Sequence, residues 1–391
     1  MLPVVALVAA AFFPAALAQQ LSLKTNYSGS AFFDLWNYKV GNDVTNFWGD
    51  PANEGVVNFT DPVFAQEQKL LYVNDVGNVI VKVDNFTSGV GNASFVRNSV
   101  QMLSKDFITP GSLVIFDAIH MPFGCAVWPA FWMNGGANWP KNGEIDIVEN
   151  VNLETTNAYS LHTEDGCMAS TDVQITGNLV NTDCFNATKF DEGCKVVDST
   201  KSYGAGFAEN GGGAFAFLWN DDGMKIWFFT RSLVPPDLST ANPNPAGWGT
   251  PTAFYPSTTC DTTKFFGPQT MILEIDVCGN FAVDDWGTCS SVAAQCTDVV
   301  PDPAIFDDAY FEIRYLTVFS NSTSSTTSSS TGPASPTSAG SSDAATTVVV
   351  VTDTPSTTPS PTNSSGHSLK TLGLLAPVTG LMAILLSFVL W

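Results

Sequence analysis

The apolar residues of this chain come in short bursts. They read "NVIVKV" at 78–83, "GSLVIFDAI" at 111–119, "GAFAFLWN" at 213–220, "MKIWFF" at 224–229, "MILEIDV" at 271–277 and "AYFEIRYLTVF" at 309–319. All are rich in Val, Ile and Phe, and clusters of Gly, Asn, Asp and Pro separate them. Short runs of this kind bounded by turn formers read as strands, and no stretch carries the periodicity of a long helix. That pattern predicts an all-β protein built as an antiparallel β-sandwich. The body spans residues 20–319 without an internal repeat. Its size suits one sandwich with long loops better than two domains.

The two ends differ from the body. Residues 1–18, "MLPVVALVAAAFFPAALA", are an apolar run closing on Ala16-Leu17-Ala18 before Gln19. This is the signature of a signal peptide, although a basic leader is missing and a buried helix is the alternative. Seven N-x-S/T sequons, at Asn26, Asn58, Asn85, Asn92, Asn186, Asn321 and Asn363, agree with secretion. Eight cysteines, all within the body, then favour disulfides, although their pairing is not readable from spacing. They include no C-x-x-C pair and no His-rich cluster accompanies them, which argues against structural zinc. Residues 320–366 are Ser/Thr/Pro-rich and read as an O-glycosylated stalk. The small residues Asn363–Gly366 precede a polar spacer and an apolar tail from Leu372 to Trp391. Residues 367–391 therefore read as a GPI-attachment signal that is removed. A transmembrane helix is the alternative, but no basic residue follows the tail to hold it.

One strand is unlike the others. "WPKNGEIDIVENVN", residues 139–152, sets Glu144, Asp146 and Glu149 among Ile145, Ile147 and Val148. Alternation puts Glu144 and Asp146 on one face and the isoleucines on the other. It also puts Glu149 on the apolar face, where an ionised carboxylate is costly. A β-bulge near Ile147 or Val148 restores the phase and gathers all three acids on one side. Glycoside hydrolysis needs such a set, one carboxylate ionised and one carboxyl protonated about the scissile bond. Asp146 between them is placed to drive their proton affinities apart. Carboxylate clusters also bind calcium, and spacing alone leaves that reading open. Upstream, "CAVWPAFWMNGGANWP" supplies Trp128, Trp132 and Trp139, whose flat faces suit pyranose rings or a core. Trp139, in a loop, reads more as a platform.

The stretch "MPFGCAVWPAFWMNGGANWPKNGEIDIVENVN" resembles glycoside hydrolase family 16, in its fungal laminarinase-type branch. So do "FFDLWNY" (32–38), "LHTEDGC" (161–167), "KSYGAGFAENGGGAFAFLW" (201–219) and "WGTP" (248–251), in the family's order. The resemblance implies a jelly-roll β-sandwich with a concave cleft for glucan. It also implies Glu144 as nucleophile, Glu149 as acid/base and Asp146 as their helper. His162 matches a family position near these acids, and Arg97 is a candidate for binding sugar hydroxyls. Phe281 stands where many relatives have a Trp. It offers a smaller stacking face, for which Trp286 is a candidate to compensate.

Three readings follow. The first is retaining endo-hydrolysis of β-1,3- or mixed β-1,3/1,4-glucan, with no cofactor and no metal. The second is a cell-wall transglycosylase using the same intermediate. The third is a glucan-binding wall protein on an inactive scaffold, against which intact Glu144 and Glu149 argue. The expected partner is β-glucan, on a monomer held at the cell surface by a GPI lipid only. With 37 acids to 15 bases and a formal charge of −22, nucleic acid is excluded as a partner. No G-x-S-x-G or H-E-x-x-H motif is present, and "GAGFAE" (204–209) lacks the last glycine of a dinucleotide fingerprint.

Overall fold

The structure, a computed structural model, describes residues 21–41, 51–187, 192–199 and 201–321. The expected signal peptide and GPI signal, the stalk beyond Asn321 and the sequon at Asn363 lie outside the described residues, while Ser320 and Asn321, placed in the stalk by the sequence, end the last strand. The strands begin with β1 (Leu21–Tyr27), β2 (Trp36–Lys39), β3 (Val57–Phe59), β4 (Leu71–Val73), β5 (Val79–Lys82) and β6 (Arg97–Ser99). They continue as β7 (Gln101–Ile108), β8 (Ser112–His120), β9 (Val127–Asn134), β10 (Glu144–Glu149), β11 (Ala158–His162) and β12 (Asn178–Asn181). The rest are β13 (Cys194–Val197), β14 (Gly213–Asn220), β15 (Gly223–Thr230), β16 (Ala253–Pro256), β17 (Gln269–Val277) and β18 (Tyr310–Asn321). All six apolar runs singled out in the sequence are strands. "GAGFAE" is a single short helix, Gly204–Glu209.

These strands form a jelly-roll sandwich. One eight-stranded sheet runs β12-β13-β11-β10-β9-β17-β7-β2, and its acid-bearing strand lies near the middle. The other runs β16-β15-β14-β8-β18-β5-β4, with β1 beside β18. A small parallel pair, β3 and β6, stands apart. Strand alternation explains the layers. Ile145, Phe131, Met133, Leu273 and Leu161 point inward from the first sheet, and Phe116, Phe215, Phe217, Leu316 and Val318 meet them from the second. Phe116 and Phe131 stack across the interface with ring centroids 4.7 Å apart. A smaller apolar cluster, with Leu113, Ile115, Trp227, Leu238, Trp248 and Phe319, covers the outer face of the second sheet.

All eight cysteines are oxidised, as Cys125–Cys289, Cys167–Cys260, Cys184–Cys194 and Cys278–Cys296. Two of the bridges frame the acid-bearing sheet where its long loops leave it. Cys125, just before β9, ties that strand to the segment around Trp286–Cys289. Cys278, at the end of β17, holds the helix Gly279–Asp284 over the same region.

Candidate active site

The acid motif sits on β10, and its register against β9 carries the expected irregularity. Glu144 pairs with Asn134, Ile145 with Met133 and Asp146 with Trp132. The register then shifts, so Val148 pairs with Phe131 and Glu149 with Ala130, leaving Ile147 as the extra residue of a bulge. Ile145, Ile147 and Val148 are buried in the core. Glu144, Asp146 and Glu149 all line a cleft of about 680 Å³ on the opposite face.

A bulge leaves backbone groups without ladder partners, and Asn157 supplies them. This fully buried residue donates from its side-chain amide to the Ile147 carbonyl (2.9 Å) and accepts from the Glu149 N–H (3.0 Å). Its own N–H donates to the Ser202 hydroxyl at 2.8 Å. The turn entering β10 needs Gly143. Its φ is +75°, and a Cβ there would lie 2.2 Å from the Phe266 ring.

Each tryptophan of the motif region lines the cleft, and each also donates its indole N–H to a carboxyl group. Trp139 donates to Glu144, Trp128 to Glu149 at 3.0 Å and Trp132 to Glu274 at 2.7 Å. Trp128 lies against Gly279, where a Cβ would come within 2.8 Å of the indole. It meets Phe281 edge to face at 5.6 Å. Phe281 lines the cleft, with the Lys195 ammonium 5.4 Å from its centroid. His162 on β11 pairs with Glu144 across the ladder. Its Nε2 lies 3.2 Å from Asp146 Oδ2 and 4.0 Å from Glu144 Oε1.

Burial raises the proton affinity of these acids. Glu144 is pushed well above the usual carboxylate range by burial and then by the charge of Asp146, with His162 and the Trp139 N–H pulling back. Glu149 is pushed up to about 7 by burial and by Asp146, against the Trp128 N–H, His162 and Lys195. Asp146, between them, raises the proton affinity of both. Among the described residues, Glu144, Asp146 and His162 are also the one group whose ligand atoms lie close enough, within 4.8 Å, to hold a metal.

The structure corrects two expectations. Arg97 is not at the cleft. It is fully buried on β6, where its guanidinium donates to the carbonyls of Asp84 and Thr87, each at 2.9 Å, and to that of Val300. Phe95 and Phe306 flank it at 4.7 Å. A cation whose donors are consumed by buried carbonyls holds loops together and has none to offer a sugar. Trp286 does not replace a stacking face either. It packs against the core and donates to the Ala293 carbonyl at 3.1 Å.

Two residues escaped the sequence reading. Glu274, on β17 opposite Ala130, lines the cleft and accepts from Gln101 and Trp132. Burial pushes it up to about 7. "MILEIDV" carries the same alternation of acids and aliphatics as the motif strand, and that signal would have found it. Asn157 had no such signal, since an asparagine in "ETTNAYS" reads as an ordinary turn residue.

Residues 45–319 match the family model described as the XgeA-like catalytic GH16 domain. A probable glycosidase of Schizosaccharomyces pombe is 37% identical over 314 residues, covering 78% of this chain and 71% of the relative. A probable endo-1,3(4)-beta-glucanase of Aspergillus fumigatus is 36% identical, covering 81% of this chain and 48% of the relative. The chain thus spans about half the length of that Aspergillus relative. Among solved structures, GH16 Laminarinase 16A from Phanerochaete chrysosporium, with beta-glucans in donor and acceptor sites, superposes with a TM-score of 0.70 at 33% identity. It covers 77% of this chain and 99% of its own. An elongating GH family 16 beta-1,3-glucosyltransferase superposes with a TM-score of 0.69 at 33% identity, over 77% of this chain and all of its own.

Proposed function

This chain belongs to glycoside hydrolase family 16, and from that premise we propose that it cleaves β-1,3- or mixed β-1,3/1,4-glucan internally with retention of configuration. The observation that carries the proposal is the bulge, which turns Glu149 onto the same cleft face as Glu144 and Asp146. In the form that reacts, Glu144 bears the charge and Glu149 the proton. Glu144 attacks the anomeric carbon while Glu149 protonates the departing glycosidic oxygen. Glu149 then takes a proton from water, which releases the sugar from Glu144. The Trp139 N–H and His162 favour charge on Glu144. The rings of Trp128, Trp132, Trp139 and Phe281 offer the sugars their stacking surfaces.

A second reading shares the intermediate and passes it to another glucan chain instead of water. The glucosyltransferase neighbour favours it. The Ser/Thr/Pro-rich segment and the uncharged C-terminal tail support placing the enzyme at the cell surface on a GPI lipid. Glu144→Gln should abolish turnover with the fold intact. Glu149→Ala should still form the intermediate on an activated glycoside and then stall, with azide restoring turnover as the β-glycosyl azide. An α-azide would sink the retaining assignment, and full activity of Glu144→Gln would sink the whole reading. Product analysis on laminarin, with and without oligosaccharide acceptors, separates hydrolysis from transfer.

A further inference from the structure

A second cavity, of about 360 Å³, lies on the other sheet. Leu316 and Val318 of β18 point into the core, so Tyr315, Thr317 and Phe319 between them face outward and line this groove. Leu23 and Asn26 of β1 and the turn 238–241 complete it. Asn26 and Thr317 are partners in the β1–β18 ladder, and a register shift between Leu23 and Thr25 keeps Leu23 and Asn26 on one face. Directly opposed β-carbons lie about 4.5–5.5 Å apart. Thr317 Oγ1 is buried there with no hydrogen-bond partner, a state that calls for an explanation. The groove thus joins the apolar surface of Tyr315 and Leu23 to an unsatisfied hydroxyl.

Asn26 opens the sequon Asn26-Tyr27-Ser28 and is exposed. Its side-chain amide makes no hydrogen bond among the described residues. Two other sequon amides are already engaged. The Asn58 amide donates to Asn98 and the Asn85 amide to Asp307, each at 2.8 Å. Asn92 is exposed, but its side-chain oxygen caps its own turn at the Ser94 N–H, away from the groove.

We propose that Asn26 carries an N-linked glycan whose first N-acetylglucosamine lies in this groove. Its apolar face rests on Tyr315 and the exposed Leu23, and Thr317 turns its Oγ1 out to a polar group of the sugar. In the transfer, the Asn26 side-chain nitrogen bonds to the anomeric carbon of a lipid-diphosphate-linked oligosaccharide. The carbon–oxygen bond to the diphosphate breaks, the lipid diphosphate leaves with the electron pair, and the nitrogen gives up one proton. The glycan is then both a modification and a cover for apolar surface.

The test uses the full chain secreted from a eukaryotic host. Peptide mass spectrometry should find Asn26 glycosylated. Asn26→Gln and Ser28→Ala remove that glycan by different routes, and each should lower Tm by about 2–4 °C. Trimming to a single N-acetylglucosamine with an endoglycosidase should leave Tm where it was, because the groove holds the first sugar. Thr317→Val should lower Tm in the glycosylated protein and not in the Asn26→Gln background. In chain folded without glycans, Asn26→Gln should change nothing, which shows that the loss belongs to the sugar. An unmodified Asn26 in the secreted protein overturns the proposal. So does an occupied Asn26 whose glycan can be removed with no change in Tm.

Discussion

Glu274 shows what a cleft carboxyl costs the fold. Its pKa is pushed up to about 7 by burial, against the donors Gln101 and Trp132. The folded protein therefore keeps a proton that the unfolded chain gives up between about pH 4.5 and 7. Stability is fully present below that window and falls as pH rises through it, by roughly 3 kcal/mol for this one group. Glu274→Gln removes the ionisation. Gln101 can then turn its side-chain oxygen, which is buried without a partner, to accept from the new amide, while Trp132 keeps an acceptor. The variant should be more stable than the parent at pH 8 by about 1–3 kcal/mol and equal to it at pH 4.5. Urea unfolding at the two pH values measures this, and identical midpoints at pH 8 would remove the argument. The same chemistry places Glu149, also near 7, at the proton affinity that an acid/base group needs near neutral pH.

At the scale of the element, the bulge on β10 is held by a side chain from outside the strand. Asn157 bonds to the Ile147 carbonyl and the Glu149 N–H together. Without it, both groups are buried and unpaired, at about 1–3 kcal/mol each, and the strand is free to slip by one residue. Such a slip turns Glu149 towards the core. Asn157→Ala should therefore lower stability by about 2–4 kcal/mol and reduce kcat by more than tenfold. KM should change little, because the stacking rings stand on β9, on the loop after it and on the helix Gly279–Asp284. A stable variant with parental kcat, read from thermal unfolding and glucan hydrolysis side by side, would show that the bulge needs no clamp. Alternation in "EIDIVE" made the bulge predictable. The clamp was not, because it comes from eight positions downstream and meets the bulge only once β10 and β11 are paired.

The described residues form a sandwich whose two outward faces differ. One sheet carries the acid cleft, and the other carries an apolar cluster, a groove and the paired terminal strands β1 and β18. Beyond Asn321 the sequence turns to Ser, Thr and Pro and then to an uncharged apolar tail. If that tail is exchanged for a GPI lipid, phosphatidylinositol-specific phospholipase C will release the protein from membranes of the producing cell. Retention on the membrane, with the Leu372–Trp391 peptide still present in the mature chain, would instead mark a transmembrane helix. By itself, the sequence determined the six apolar strands, the oxidised cysteines, the acid motif and its bulge, because each rests on local periodicity or residue chemistry. Tertiary structure alone decided which cysteines pair, that Arg97 spends its donors on buried carbonyls, and that three indole N–H groups reach three different carboxyls. It also decided that Asn157 clamps the bulge. These are contacts between residues distant in the chain. Side-chain direction and the supply of partners exist only after the sheets have packed, and no spacing along the chain encodes them.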